Sequence, residues 1–346
     1  MKVSVIVPVY GVERFIGECA ESLFSQTYDD LEYIFVDDCS PDNSIGVLQN
    51  VLARHPGRSH QVRIIRNTTN RGSGATRSIA LAAATGDFVM YADSDDMVPT
   101  DGVEKLVRAQ QASGADIVDG AYCRIHDSHI TQPILPFHGC TADMLRLMLA
   151  QNTLTHQVWA RLIRRTLHTE NHVDFVDGIN MAEDYCIMSR LLFCTAEGNC
   201  GLTHGQAATG AAPVRGGRAW TDEAVYLYRE QTTGTFSSWL NDRHIGSYLS
   251  ASRVVGEFLR VHDHDRKYTY AYELGMLNTI HSAMGVTDME TIRRLCPYHP
   301  TTTIFRLCRA LLCYKATRPL LRATYLIIKR LYVTKITKNV AQFTDF

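Results

Sequence analysis

Short runs dominated by apolar residues recur through the first third of the chain, at residues 2–9 (KVSVIVPV), 31–36 (LEYIFV), 62–65 (VRII) and 87–92 (DFVMYA). Such runs, rich in Val and Ile, predict strands buried on both faces, as in a parallel sheet. Between them the period changes to that of a helix. Residues 12–26 bring Phe15, Ile16, Cys19 and Leu23 onto one face. Ser40-Pro41 predicts an N-cap and first helical position for a helix running to about Arg54. Residues 76–84 and 102–113 predict two more helices, and 116–122 a further strand.

Strands alternating with helices predict an α/β fold with a doubly wound, mostly parallel sheet. Ligands of such sheets bind outside the carboxyl ends of the strands. Those ends carry Pro8-Val9-Tyr10, Asp37-Asp38 and Asp93-Ser94-Asp95-Asp96. So many carboxylates on one edge repel each other unless a cation or hydrogen-bond donors compensate. A dinucleotide site would need G-x-G-x-x-G after the first strand, where the chain has Tyr10-Gly11-Val12-Glu13-Arg14-Phe15. G-x-x-x-x-G-K-[ST] is absent from the sequence, which excludes a P-loop. Phosphates must then be held by a metal and basic side chains.

Residues two apart in extended backbone point to the same side, so Asp93 and Asp95 can aim both carboxylates at one point. Hard oxygen ligands suit Mg²⁺ or Mn²⁺, and Mg²⁺ takes one or two carboxylates plus substrate phosphates. A solvated acidic turn is the competing reading of the same residues.

The successive segments V-S-V-I-V-P-V-Y, V-D-D-C-S-P-D, N-R-G-S-G-A-T-R and Y-A-D-S-D-D resemble, in order and spacing, the motifs of family 2 glycosyltransferases with a GT-A fold. V-W-A-R-L-I-R-R, M-A-E-D-Y and Y-L-Y-R resemble the bacterial polysaccharide members, and the resemblance spans roughly residues 1–240. It implies a nucleobase pocket lined by Pro8, Val9 and Tyr10. Asp38 would accept a hydrogen from the base, with Asp37 supporting the turn, and Arg77 would lie near the nucleotide. Asp93 and Asp95 would hold ribose and metal, with Asp96 a competitor for the metal. Ser78 stands where the family has Asn, and Ala80 where it has Gly.

In the following half, Glu183-Asp184 opens an apolar-periodic segment with Ile187, Met188, Leu191 and Leu192. Taken alone, two acids in a first helical turn answer the helix dipole. The resemblance makes Asp184 the catalytic base of an inverting transfer, with Glu183 orienting it or touching the acceptor. Trp159 and Arg161 match a W-x-K-like motif with Arg for Lys. Tyr228-Arg229 matches a Y-R pair whose Arg could neutralise the diphosphate. Trp159 also reads as a core aromatic and Arg229 as a surface ion-pair residue. His156, His168 and His172 are irregularly spaced and read as structural. Residues 198–218 carry six glycines and little bulky apolar content, which predicts a long loop.

Charge changes the picture only at the far end. The 346 residues balance 35 basic against 36 acidic, a net charge of -1, so no global charge points to nucleic acid. Residues 301–346 nevertheless hold nine Lys and Arg against Asp345 alone. Two apolar–basic helical segments are expected there, at 302–317 and 319–334, after a helical stretch at 248–286. In the second, Arg318, Arg322 and Lys329 are expected to oppose Leu320, Ile327, Ile328 and Leu331. A basic amphipathic segment too short to span a bilayer either lies on an anionic membrane or packs on its own domain.

The expected organisation is a GT-A domain over 1–240, divided into a nucleotide-binding half (1–125) and an acceptor half (126–240). A helical C-terminal region (241–346) follows, ending in the basic segment 301–338. Residues 1–10 do not read as a signal peptide, and ten cysteines without a C-x-x-C read as reduced thiols. These readings imply a cytoplasmic enzyme, peripheral at the inner face of the membrane. It would use Mn²⁺ or Mg²⁺, a nucleotide-diphosphate sugar and a glycan or lipid-linked acceptor in surface polysaccharide synthesis. A sugar-phosphate nucleotidyltransferase and a catalytically inactive nucleotide-sugar-binding relative are the alternatives. The first would want a Gly-rich basic loop after the first strand, and the second is disfavoured by the intact Asp93, Asp95 and Asp184.

Overall fold

The computed structural model describes residues 1–126, 129–151, 156–198, 217–230, 242–284, 287–297, 300–312 and 318–337. The first half alternates β1 (Val3–Val9), α1 (Ile16–Phe24), β2 (Leu31–Asp37), α2 (Ser44–Arg54), a short 3-10 helix (Pro56–Gln61), β3 (Val62–Arg66), α3 (Ser73–Ala83), β4 (Phe88–Tyr91), α4 (Gly102–Ser113) and β5 (Ile117–His126). Then come β6 (His129–Ile130), α5 (Thr141–Leu149), β7 (Arg161–Arg164), α6 (Arg165–Glu170), α7 (Glu183–Gly198) and β8 (Arg218–Arg229). Five helices follow among the described residues: α8 (Asp242–His262), α9 (Thr269–Ala283), α10 (Met289–Leu295), α11 (Thr303–Leu312) and α12 (Arg318–Thr337).

Among the described residues one sheet forms, in the order β3-β2-β1-β4-β7-β5-β6, with β8 beside β5. The β3-β2-β1-β4 portion is parallel, while β7 runs antiparallel to both β4 and β5. The β1, β2 and β4 runs are buried on both faces, as expected, whereas β3, at the edge of the sheet, has no fully buried residue. Val3, Val5, Val7 and Val9 join Tyr33, Phe35 and the apolar stripes of α1, α2 and α4 in one core. Ile6, Ile34 and Val36 are buried as well, and α3 packs against β1 and β2. Each such side chain contributes about 1.5–3 kcal/mol on leaving water.

Two boundaries differ from the sequence expectation. The second helix begins at Ser44 rather than at Pro41. The preceding loop is instead held by side chains: the Ser40 N–H donates to Asp37 Oδ1 at 2.8 Å, and the Ser44 and Glu13 N–H groups donate to Asp42. Ser and Asp compete well for backbone donors, which favours a loop here over an earlier helix start. The helical stretch at 248–286 is two helices. Asp263 ends the first by accepting from the N–H groups of Lys267 and Tyr268 and the hydroxyl of Thr269.

The chain divides into two compact units. The first comprises 1–136, 157–178 and 194–235 and contains the whole sheet. The second comprises 137–156, 179–193 and 236–346, and is helical among its described residues. In it α9 is the central helix, buried along Ala271, Leu274, Met276 and Ile280, with α5, α8, α11 and α12 packed against it. No helix among the described residues is long and apolar enough to cross a membrane. Most of the glycine-rich stretch, 199–216, lies outside the described residues.

Candidate active site

The acidic turn after β4 lies at the carboxyl edge of the sheet, and β8 clamps it. Asp96 is 2% exposed. One of its carboxylate oxygens accepts from the Tyr226 hydroxyl at 2.9 Å and the other from the Arg229 N–H at 2.7 Å. The same Tyr226 hydroxyl accepts from the Asp93 N–H at 2.9 Å. Met97 and Leu227 exchange backbone hydrogen bonds at 2.9 and 3.1 Å. Burial first, then the neighbouring Asp93 and Asp95 carboxylates, push the Asp96 carboxyl well above the usual carboxylate range. Burial likewise pushes the Tyr226 hydroxyl up, with Asp96 and Asp93 adding to it, which keeps the phenol protonated as a donor.

β8 reaches the turn through an irregularity in its pairing with β5, whose register shifts on either side of Ala121. Gly120 makes room for it, since a Cβ there would overlap the Val225 side chain. Such a bulge re-aims the residues that follow. Here it sends Tyr226 and Tyr228 to one side, where both stack on Trp159 with centroids 4.6 and 5.3 Å away. Trp159 is 8% exposed and meets Tyr122 edge-on at 4.9 Å. It is thus a core aromatic that backs the tyrosines.

Arg229 continues the clamp. Its Nε donates to the Asp95 carbonyl at 2.9 Å, and its Nη2 lies 2.6 Å from Glu18. Its guanidinium covers the Phe15 ring at 5.3 Å. Arg77 enters from α3, where it is 5% exposed, and its Nη2 donates to Asp93 Oδ1 at 2.7 Å. The acidic turn is therefore flanked by two guanidiniums. Arg161 sits elsewhere: it is 4% exposed and, with Arg218, brackets the buried Asp119. That pairing places it inside the sheet.

At the end of β1, Val9 is buried, Pro8 is half-buried and Tyr10 is 51% exposed. The Val9 carbonyl accepts from the Asp38 N–H at 2.9 Å. Asp38 itself is 3% exposed. Its oxygens accept from the Asn67 side chain and from the Arg71 and Gly72 N–H groups, each at 2.8 Å. Those bonds hold the 67–72 loop against the edge. Gly72 takes φ 85° at the start of α3, a conformation that favours glycine. Asp37 supports the turn, accepting from Ser40 N–H and pairing with Arg66 at 2.9 Å. Ser78 donates to Asp174 at 2.8 Å, and Ala80 is buried.

The donor set fits a hard divalent cation. Asp93 and Asp95 are partly exposed, whereas Asp96 is turned inward with both oxygens engaged. The mutual repulsion that raises Asp96 is what a cation at Asp93 and Asp95 would relieve. Among the described residues no three His, Cys, Asp or Glu side chains converge as a metal site. Two carboxylates are the complement that Mg²⁺ takes when substrate phosphates and water complete its shell.

Glu183 and Asp184 open α7, and Asp184 is half-buried. They belong to the second unit, while Pro8, Val9, Tyr10, Asp38, Arg77, Asp93, Asp95, Asp96, Trp159, Arg161 and Arg229 all belong to the first. Ala182, just before the helix, has φ 62°. Tyr226 and Glu18 are the site residues that sequence reasoning missed. The signal for Tyr226 was its place two residues before Tyr228, on the same face of an extended strand.

The fold is that of GT-A glycosyltransferases with a C-terminal helical region. It is similar to the crystal structure of Staphylococcus aureus TarS 1–349 in complex with UDP, with a TM-score of 0.61 at 18% identity, covering 96% of this chain and 90% of that one. It is also similar to the mannosyltransferase PcManGT from Pyrobaculum calidifontis in complex with GDP-Man and Mn²⁺, with a TM-score of 0.51 at 17% identity, covering 95% and 86%. Residues 4–169 match the family described as glycosyl transferase family 2. A poly(ribitol-phosphate) beta-glucosyltransferase of Bacillus spizizenii is 30% identical over 187 residues, 53% of this chain and 28% of that protein. The chain spans 28% to 53% of the lengths of the first curated relatives it matches.

Proposed function

We propose that the protein transfers a sugar from a nucleotide-diphosphate donor to a glycan acceptor, with a divalent cation and with inversion at the anomeric carbon. The observation that carries this reading is the clamped acidic turn. In this reading Asp96, held by Tyr226 and Arg229, shapes the turn, and Asp95, with the Asp93 that Arg77 holds, meets the ligand. The UDP of TarS and the GDP-Man and Mn²⁺ of PcManGT support the donor class, and the poly(ribitol-phosphate) beta-glucosyltransferase relative supports a surface polysaccharide as product.

In this reading residues 1–125 bind the nucleotide and 126–240 serve the acceptor. Pro8, Val9 and Tyr10 line the base pocket, and Asp38 shapes it by fixing the 67–72 loop. Asp95, with Asp93, would hold Mn²⁺ or Mg²⁺. The ion, when bound, offsets the charge of the diphosphate leaving group. Arg77 orients Asp93, and Arg229 adds positive charge beside the turn. Asp184 takes the proton from the acceptor hydroxyl as its oxygen attacks the anomeric carbon. Glu183 orients Asp184 or touches the acceptor. Arg161 is assigned to the fold, through Asp119, rather than to the acceptor.

The acceptor is a lipid-linked glycan, and the protein works at the inner face of the membrane, held there by its basic C-terminal helices. Release of nucleoside diphosphate from a panel of nucleotide sugars, with and without Mn²⁺, tests the activity. Turnover that depends on metal and on one donor supports it, and no turnover with any donor contradicts it.

A further inference from the structure

Half of the large apolar side chains that the described protein leaves exposed lie on two neighbouring helices. They are Ile304 and Leu307 on α11, at 49% and 64%, and Leu326, Ile327 and Leu331 on α12, at 52%, 60% and 67%. Both helices are anchored by other residues. Phe305 and Tyr332 pack against Tyr270 of α9, with ring centroids 5.1 and 5.3 Å away. Tyr325 is buried, and Lys329 is half-buried with its Nζ donating to the Gln151 carbonyl at 2.6 Å.

This orientation decides between the two uses of the helix left open by its sequence. Ile327 and Leu331, expected to cover either the domain or a bilayer, do not cover the domain. Lys329, expected on the charged stripe, faces the protein. Burial lowers its ammonium pKa, as a position away from solvent requires. Taking 100° per residue, Tyr325, Lys329, Tyr332 and Ile336 lie within about 60° of one another on the inward side. Ile327, Arg330, Leu331 and Thr334 cluster on the opposite side.

Among the basic residues of α12, Arg322, Arg330 and Lys335 are exposed. No acidic residue occurs anywhere in 301–337. An exposed apolar patch marks an interaction site. An unopposed positive charge around it selects an anionic partner, and apolar side chains flanked by Lys and Arg on a helix match the interface of an anionic bilayer.

We infer that α11 and α12 together form a docking face for an anionic lipid surface, with Ile304, Leu307, Leu326, Ile327 and Leu331 entering the interface and Arg322, Arg330 and Lys335 meeting the headgroups. The inference deepens the membrane reading proposed above and rests on it for its purpose. The surface itself is read without any donor. It places the lipid contact on the face away from Lys329, so Lys329 is an internal tether.

The full chain is to be sedimented with vesicles of phosphatidylcholine alone and of phosphatidylcholine with phosphatidylglycerol, at low and high salt. Binding is expected only to the anionic vesicles and to weaken with salt. Ile327→Ser with Leu331→Ser should weaken it about tenfold or more. Arg330→Glu should weaken it chiefly at low salt. Lys329→Met should leave it unchanged. Circular dichroism checks that each variant is folded, and the substituted positions of the double variant are already exposed. Calorimetry with Mn²⁺ and a nucleoside diphosphate reads the donor site separately, so failure of one does not mimic failure of the other. The inference is overturned if the full chain ignores anionic vesicles at low salt. It is also overturned if the double variant binds as the parent does while Lys329→Met does not, or if the double variant only dissociates a dimer.

Discussion

The Tyr226 hydroxyl donates to the Asp96 carboxylate at 2.9 Å and accepts from the Asp93 N–H at the same distance. One phenol therefore fixes both ends of the Asp93–Asp96 turn from a strand 130 residues later in the chain. Tyr226 is fully buried and stacked on Trp159, so the hydroxyl has a single place to be. This links the last strand of the sheet to the chemistry proposed at the end of β4.

Removing that hydroxyl should loosen the turn without emptying the core. Tyr226→Phe keeps the ring and deprives a buried carboxylate and a backbone N–H of a partner. A stability loss of about 1–3 kcal/mol is expected, read as a lower urea midpoint. Donor affinity should fall with it. Unchanged stability and affinity would show that Asp96 needs no clamp.

Asp184→Asn should separate chemistry from binding. Turnover should fall about 10²–10⁴-fold, as for loss of a general base, while affinity for the nucleoside diphosphate stays within a few-fold. Single-turnover kinetics beside calorimetry measures both. Activity close to that of the parent would leave Asp184 as an acid that merely opens α7.

Glu32 contributes to the acid limb of stability. Burial opposes its ionisation, but hydrogen bonds from Ser4, Thr85 and Lys2 outweigh that and hold its carboxyl at about 2. Unfolded, it titrates near 4.3. Its folded pKa is the lower one, so its contribution is complete above about pH 5 and is lost as pH falls toward 2. Urea unfolding followed between those values should show a steeper loss for the parent than for Glu32→Gln. Parallel curves for the two would contradict the assignment.

β1, β2 and β4 were legible because burial on both faces writes them as compact apolar runs, and β3, an edge strand, because Val62, Ile64 and Ile65 stand together between turn residues. The clamp was not, because β8 carries Thr221, Asp222 and Glu223 in its middle and pairs through an irregular register with β5. Its strand character comes from that pairing rather than from local pattern. The start of α2 was misplaced because Ser40-Pro41 satisfies a helix signal that the Asp37 and Asp42 side chains override. On α12 the periodicity proposed two faces but could not say which one packs. Tyr325 and Tyr332 decide it, through contacts with residues distant in sequence. The carboxylates of the site were all visible as residues. What the sequence left open was that Asp96 is spent internally, which only its partners reveal.

The most direct test of the account is calorimetric titration of nucleoside diphosphates into the full chain with and without Mn²⁺, repeated with Asp95→Asn. The account predicts binding of one nucleotide that requires the metal in the parent and is absent in the variant, whose far-ultraviolet spectrum and melting temperature stay near those of the parent. Metal-dependent binding of undiminished affinity in folded Asp95→Asn would contradict it.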